Sequence, residues 1–507
     1  MKKIYKYILL FVCHYLVCMS CCCSQDLDLS FGNGTGKLLI ELGNDDQCNS
    51  VALQGDGKIV LGGGTVSANG IFSIVRLDSD GSFDNSFNAT GKKIFSAILT
   101  GDYGKSIKIN NQGKIIMGGS AGTSTQAFYA ITNLNTDGSF NTAFNNNIDT
   151  ISVDSIYHLN TLTSIDVSNT RILLAGYSGN FSNLMFSAAV LKMDGTFDQS
   201  FNSTGKLILP SSGGALCYAS LFQKDGKILL AGTANDDFII IRLNEDGSFD
   251  NTFGGGTGQV SVDFNGDQDY VYSLAQQKDG KILAAGHTGS SIALARLNMN
   301  GSLDNAFGPN LNGKISISFG SQFTSICNSI ALDTFATNNK IILAGYGYRL
   351  DNRYGGFATI RLDLNGNVEA QAIIPMGTSA ISVAKSVAIQ PDSKIIMTGY
   401  ASNGTDNDFA AIRLLPDFTT TAVAEAETTI NAGVNIFPNP ASYQLNIHSS
   451  YNITNIILYN TLGEPVMSVV NNNDVPSVID ISALNKGIYT AVISTDRGNA
   501  VKKIVKQ

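Results

Sequence analysis

The sequence predicts an all-β protein: a seven-bladed β-propeller of four-stranded blades, followed by a small Ig-like β-sandwich. Three observations carry that prediction. A phrase with a basic residue leading an apolar strand that ends at glycine recurs seven times, with leaders Lys58, Lys114, Arg171, Lys227, Lys281, Lys340 and Lys394. Successive leaders lie 56, 57, 56, 54, 59 and 54 residues apart, a period that marks a repeat architecture. The chain has 52 glycines against 9 prolines and no long stretch of helical period, which suits short strands joined by tight turns. Its 507 residues also exceed what a single hydrophobic core organises.

Residues 1–24 read as a secretory signal. Lys2, Lys3 and Lys6 precede an apolar run from Ile8 to Met19 that is too short to span a bilayer, and small residues at Cys22 and Ser24 suit cleavage before Gln25. A rival reading makes Cys21 a lipid-modified terminus, against which Cys18 stands where Leu is usual. Loss of this leader removes three lysines and no acids, taking the formal net charge from −8 to −11. So acidic a chain without basic clusters is a poor partner for nucleic acid or an anionic membrane. Five of the eight cysteines leave with the leader; Cys48, Cys217 and Cys327 remain, with no CxxC pair to suggest zinc.

Residues 25–417 form the repeat region. In the fourth unit the candidate strands are "GKLILP" from Gly205, "CYASLFQ" from Cys217, "KILLAG" from Lys227 and "DFIIIRL" from Asp237. Asp225-Gly226 is a hairpin signal, replaced elsewhere by Asn169-Thr170, Asn338-Asn339 and Asp392-Ser393. The glycines closing the Lys-led strand (Gly62, Gly118, Gly176, Gly232, Gly286, Gly345, Gly399) suit a close approach of backbones. A second phrase, "RLNEDGSFDNTFG" from Arg242, travels with the first, and its Phe249 and Phe253 are expected to anchor one sheet on the next. The array starts in mid-phrase with "LDLSFGNGTGK" from Leu27 and stops in mid-phrase at "RLLPDF" from Arg413, as a closed ring would. A β-helix is the alternative, but its coils are shorter and carry fewer turns. These phrases resemble the delta-60 repeat, from about Leu27 to Asp417. The resemblance implies secretion and a propeller fold, and brings no active site.

Residues 418–432 read as a linker, small and polar. Residues 433–507 are strand-rich and long enough for a small β-sandwich. Their spaced motifs are Phe437-Pro438-Asn439-Pro440, Leu458-Tyr459-Asn460, Leu462-Gly463, Gly487-Ile488-Tyr489 and the basic ending Lys502, Lys503, Lys506. That order resembles the C-terminal sorting domain of the type IX secretion system. The resemblance implies export to the surface or medium of a Gram-negative bacterium. Its partners would be the secretion machinery and a sorting peptidase that removes the tail, with no transmembrane segment in the mature chain. An accessory β-sandwich without that role is the alternative.

No catalytic or cofactor-binding residue is assigned. "DSDGSFD" from Asp78 to Asp84 resembles a calcium loop, but sister copies lose the carboxylates freely, as a structural turn allows. "NGDQD" from Asn265 is a second oxygen-rich stretch. Arg76, Arg242, Arg296, Arg361 and Arg413 share one place in five units and either converge on an anion or bridge blades. Cys48, Cys217 and Cys327 fall at one position in non-adjacent units, too far apart for a disulfide, whose Cα atoms lie within about 7 Å. His158, His287 and His448 sit beside no matching nucleophile, and neither a G-x-S-x-G elbow nor H-E-x-x-H occurs. Tryptophan is absent, leaving 18 Tyr and 26 Phe for any sugar stacking. "GYGYRLDNRYGG" from Gly345 suits an interface. The reading is therefore a non-catalytic adhesion or binding scaffold for a protein or glycan ligand. The alternative is an extracellular polysaccharide-acting enzyme with paired carboxylates. A surface-layer component without a discrete ligand is a third.

Overall fold

The computed structural model describes residues 26–419 and 434–507, apart from 66–70, 97–102, 124–125, 155–158, 181–182, 211–213, 336–338, 352–354, 377–381, 450–451, 461–464, 471–477 and 496–497. The proposed signal at 1–24, nearly all of the linker, His158 and Gly463 lie outside the described residues. The chain divides into two compact units, residues 1–421 and 422–507.

The first unit holds seven four-stranded antiparallel blades among the described residues, the second and third joined into one eight-stranded sheet by a single parallel pair, Leu159 with Ala127. Blade four is typical, running Ala215–Phe222, Ile228–Ala234, Asp237–Leu243 and Gln259–Val262 from the inside outwards. The inner strands are Asp46–Leu53, Tyr103–Ile109, Leu159–Val167, Ala215–Phe222, Asp269–Gln276, Phe323–Asp333 and Ser382–Ile389. Each packs on the next, and the last packs on the first, so the blades form a ring around a central channel.

Why the Lys-led strand is a continuous apolar run follows from its place. It is the second strand of its blade, covered on both faces by neighbouring blades, and in Ile59–Thr65 all seven residues are buried. Each core cluster spans two blades: Leu229, Ala231 and Ile240 of blade four pack with Val271, Ile282 and Ala284 of blade five. The hairpin signal acts as expected, with Gly226 at φ 85° and Gln223 N–H donating to the Lys227 carbonyl at 2.8 Å.

Two details differ from the sequence reading. "GKLILP" is not the first strand of its unit; Lys206–Leu209 pairs with Asn183–Lys192 and completes the preceding blade. The sequence repeat is thus one strand out of phase with the blade, and this offset closes the ring. Lys37–Ile40 pairs antiparallel with the third strand of blade seven, Lys37 opposite Ile412 and Ile40 opposite Phe409, and supplies that blade's fourth strand. In the first two blades, moreover, the close-packed glycine is the following one. A Cβ at Gly63 or Gly119 would lie 2.0 or 2.1 Å from a carbonyl oxygen of the inner strand, whereas Gly62 and Gly118 face side chains.

The "DGSFD" connection is a blade-to-blade latch. Arg242 Nε donates to Asp250 Oδ2 at 2.6 Å, its guanidinium lies 4.4 Å from the centre of the Phe253 ring, and its Nη1 reaches the Met299 carbonyl of the next blade. Arg76, Arg296 and Arg413 repeat this arrangement with Asp84, Asp304 and Asp28, and Arg361 uses Glu369. These arginines therefore bridge blades and do not converge on the channel. Blade three, which lacks the arginine, has Arg171 as its strand leader, and that guanidinium reaches the Glu245 carbonyl of the next blade at 3.2 Å. Phe253 is fully buried as an anchor, but Phe249 is 41% exposed and lies against Gly258 of its own blade.

The second unit is a two-sheet sandwich. Val434–Phe437, Gln444–Ser449 and Val478–Asp480 form one sheet. Pro465–Val470, Ile453–Tyr459, Gly487–Thr495 and Gly498–Lys506 form the other. Leu445, Ile447, Ile456, Leu458, Ile493 and Ile504 fill the space between.

Candidate functional site

Every inner strand carries a β-bulge at one place in its register. The residues left out of the ladder are Asn49, Lys105, Thr163, Tyr218, Tyr272, Asn328 and Lys385, in blade order one to seven. A bulge frees a residue from pairing and re-aims its side chain. The glycine of the second strand makes room for it: a Cβ at Gly232 would lie 1.8 Å from the Leu216 carbonyl oxygen. Cys48, Cys217 and Cys327 immediately precede bulge residues, and all three are buried free thiols pushed up to about 12 by burial.

A serine after the bulge ties the ring together. Ser50 Oγ accepts from Ile107 N–H at 3.1 Å, Ser329 Oγ from Val387 N–H at 3.2 Å and Ser386 Oγ from Val51 N–H at 3.2 Å, each across a blade boundary. Three bulge side chains also reach the next blade: Asn49 donates to the Gly104 carbonyl, Thr163 to that of Cys217 and Asn328 to that of Ala384, at 2.7–2.8 Å.

The ring has two unlike sides. On blades four and five Tyr218 and Tyr272 meet with ring centres 5.0 Å apart. Tyr177, Tyr270 and His287 extend this aromatic surface, Tyr270 stacking on His287 at 4.9 Å. On blades seven and two, Lys385 and Lys105 flank Asn49 of blade one. Lys105 Nζ lies 4.3 Å above the Tyr103 ring, and among the described residues neither ammonium has a carboxylate partner. Burial, with the Lys385 charge added, brings Lys105 down to about 8, and burial lowers Lys385 too. Burial holds His287 down to about 4, so it is neutral at physiological pH. Two desolvated cations facing an aromatic wall can hold an anion whose remainder offers a flat face.

Sequence reasoning missed this ring. The available signal was a variable residue before a nearly constant serine, in "CNS", "GKS", "LTS", "VYS" and "AKS". From the "GYGYRLDNRYGG" stretch, Tyr346 and Tyr348 stack at 6.1 Å, and Arg349 pairs with Asp351 at 3.3 Å. The "DSDGSFD" loop is a hydrogen-bonded turn in which Asp80 Oδ1 accepts from Ser82 N–H and Oγ at 2.9 and 2.7 Å. Carboxylates gather elsewhere, as Glu41 with Asp46 and Asp408, and Asp237 with Asp263 and Asp269. A cleft of about 420 Å³ beside Arg76 and Asp137 belongs to the latch between blades one and two.

In the second unit Phe437 ends its strand and Pro438, Asn439 and Pro440 bend away from it, all four exposed. Asn439 clamps the last strand, donating to the Lys503 carbonyl at 2.7 Å and accepting from Val505 N–H at 2.9 Å. Gly487 is exposed at the start of its strand, while Tyr489 is buried and donates to the Asn485 carbonyl at 2.8 Å. Lys503 is exposed, Lys502 half-buried, and Lys506 is buried with Nζ 6.0 Å from the centre of the Tyr443 ring.

Residues 435–507 match the secretion system C-terminal sorting domain. Residues 54–87, 223–253, 277–307 and 390–417 match the domain of unknown function (DUF5122) beta-propeller. No curated protein matches the chain in sequence. Among solved structures, Sqt1 from Chaetomium thermophilum is 12% identical over 80% of this chain and 93% of that one, with a TM-score of 0.42. A protein from Lactobacillus plantarum is 11% identical over 72% and 96%, with a TM-score of 0.43. Among the described residues no helix is long and apolar enough to cross a membrane. The chain carries delta-60-type β-propeller repeats followed by a type IX secretion sorting domain, a tail that implies engagement of the secretion machinery and export to the cell surface or beyond.

Proposed function

We propose that the propeller is a non-catalytic binding module, displayed or released outside a Gram-negative cell, whose ligand occupies the ring of bulge residues. The observation that carries this reading is the pair Lys105 and Lys385, unpaired cations across the channel from Tyr218 and Tyr272. A saccharide bearing a carboxylate or sulfate suits both sides, its acidic group between the ammoniums and its ring face on the tyrosines. The tail serves as an export label, with Phe437–Pro440, Gly463, Gly487, Tyr489 and the terminal lysines as its recognition features, and is cleaved once the cargo has crossed. The hydrolase reading finds less support, since the clustered carboxylates sit at blade seams and no bulge residue is acidic.

The test is an array of neutral, sulfated and uronic-acid glycans and matrix proteins, probed with the purified protein. Retention on acidic glycans is expected, with loss of at least tenfold in affinity in the Lys105→Met, Lys385→Met double variant, about 1.4 kcal/mol. Binding confined to neutral glycans, or turnover of any polymer, would overturn the proposal.

A further inference from the structure

The two carboxylate clusters occupy the same place at two different blade seams. Asp237 and Asp408 immediately precede Phe238 and Phe409 in the third strands of blades four and seven, residues that pair with Val262 and Ile40. Asp263 and Glu41 directly follow Val262 and Ile40, and Asp269 and Asp46 open the inner strands of blades five and one. The three positions are therefore equivalent, residue for residue. In the other five blades neither of the first two positions is acidic, so those two acids arrive together or not at all.

Within each triad one oxygen from each residue lies within 4.8 Å of the others. Asp269 is fully buried; its Oδ2 accepts from Phe264 N–H at 2.6 Å, while its Oδ1 has no hydrogen-bond partner. Asp408 is 5% exposed, and its Oδ1 likewise has none. Two nearby lysines do not neutralise the groups. Lys314 Nζ donates to the main-chain oxygen of Asp263 at 2.7 Å and Lys92 Nζ to that of Glu41 at 3.0 Å. Three anionic oxygens drawn together without a cation repel one another, and a buried unpaired carboxylate oxygen is costly.

We infer that each triad is a site for a hard divalent cation of the calcium type, one at the seam of blades four and five and one at the seam of blades seven and one. The donor set is oxygen only and comes from three separate elements, which suits the flexible, high-coordination geometry of calcium over zinc or copper. Each ion would cross-link the third and fourth strands of one blade to the inner strand of the next. The second of them would sit where the N-terminal strand closes the ring. This inference does not depend on the proposed ligand in the channel.

The test uses the full chain, titrated with calcium and with magnesium after chelation, and followed by calorimetry and thermal unfolding. Binding of two calcium ions per chain is expected, with a dissociation constant no weaker than about 1 mM, the range of extracellular calcium modules. The unfolding midpoint should rise with calcium. Glu41→Gln with Asp408→Asn should reduce the count to one ion, as should Asp237→Asn with Asp263→Asn; all four together should abolish binding and the thermal shift. Because each change removes repulsion while keeping side-chain shape, the ion-free variants should fold. Terbium luminescence on the unaltered chain gives an independent count. No calcium binding by the unaltered chain, or a count that the variants leave unchanged, would overturn the inference.

Discussion

Lys105 is the residue whose protonation the ligand would feel most directly. The groups that face it are Tyr103 on its own strand and Lys385 on blade seven. Its pKa stands lowered from the usual 10.5 to about 8 by burial first and the Lys385 charge second. The unfolded chain therefore holds this proton more tightly than the folded one. The ligand-free protein should gain stability from this group as pH climbs from about 8 towards 10.5, while affinity for an acidic saccharide should fall over the first part of that range. Binding measured at pH 7 and 9 checks this: unchanged affinity would place the anion elsewhere. The latch was legible residue by residue, because Arg, Asp and Phe recur at fixed spacing. The lysines were not, because only two of the seven bulge positions carry one, and a single Lys in a strand carries no signal until the blades are superposed.

At the scale of the element, bulge and glycine form one device. Replacing Gly232 by Ala would drive a Cβ against the Leu216 carbonyl oxygen, so the inner strand must shift. The expected cost is about 3 kcal/mol, at the upper end of overpacking. A Cβ at Gly55 meets nothing within 4 Å, and Gly55→Ala should be nearly neutral. Denaturant unfolding of the two variants separates them; equal midpoints would mean that the glycine is not what accommodates the bulge. Strands and hairpins were legible from apolar runs and Asp-Gly turns. The phase of the blade was not, because a period is unchanged by sliding the frame, and only pairing shows that Lys206–Leu209 joins the blade before it. The bulge was hidden for a related reason: it moves the buried positions of the first inner strand from 46 and 48 to 51, and so short a strand has too few residues on either side to fix a phase from the sequence.

For the whole molecule, ring closure was legible in the broken phrases at both ends of the array, and the sandwich in the spacing of its motifs. The closing strand carries stability out of proportion to its four residues, since it covers the edge of blade seven and brings Asp28 to Arg413 at 2.7 Å. A chain lacking residues 26–42 should unfold at a lower temperature and lose hydrogen-exchange protection first over Asn407–Leu414; uniform loss of protection would argue against a seam that opens locally. The same seam also dictates an order of assembly. Lys37–Ile40 finds its partner strand some 375 residues further along the chain, so six blades can take shape before the seventh is complete. Closing the circle then has to wait for the far end of the array, and a chain held open in this way stays threadable until that end arrives.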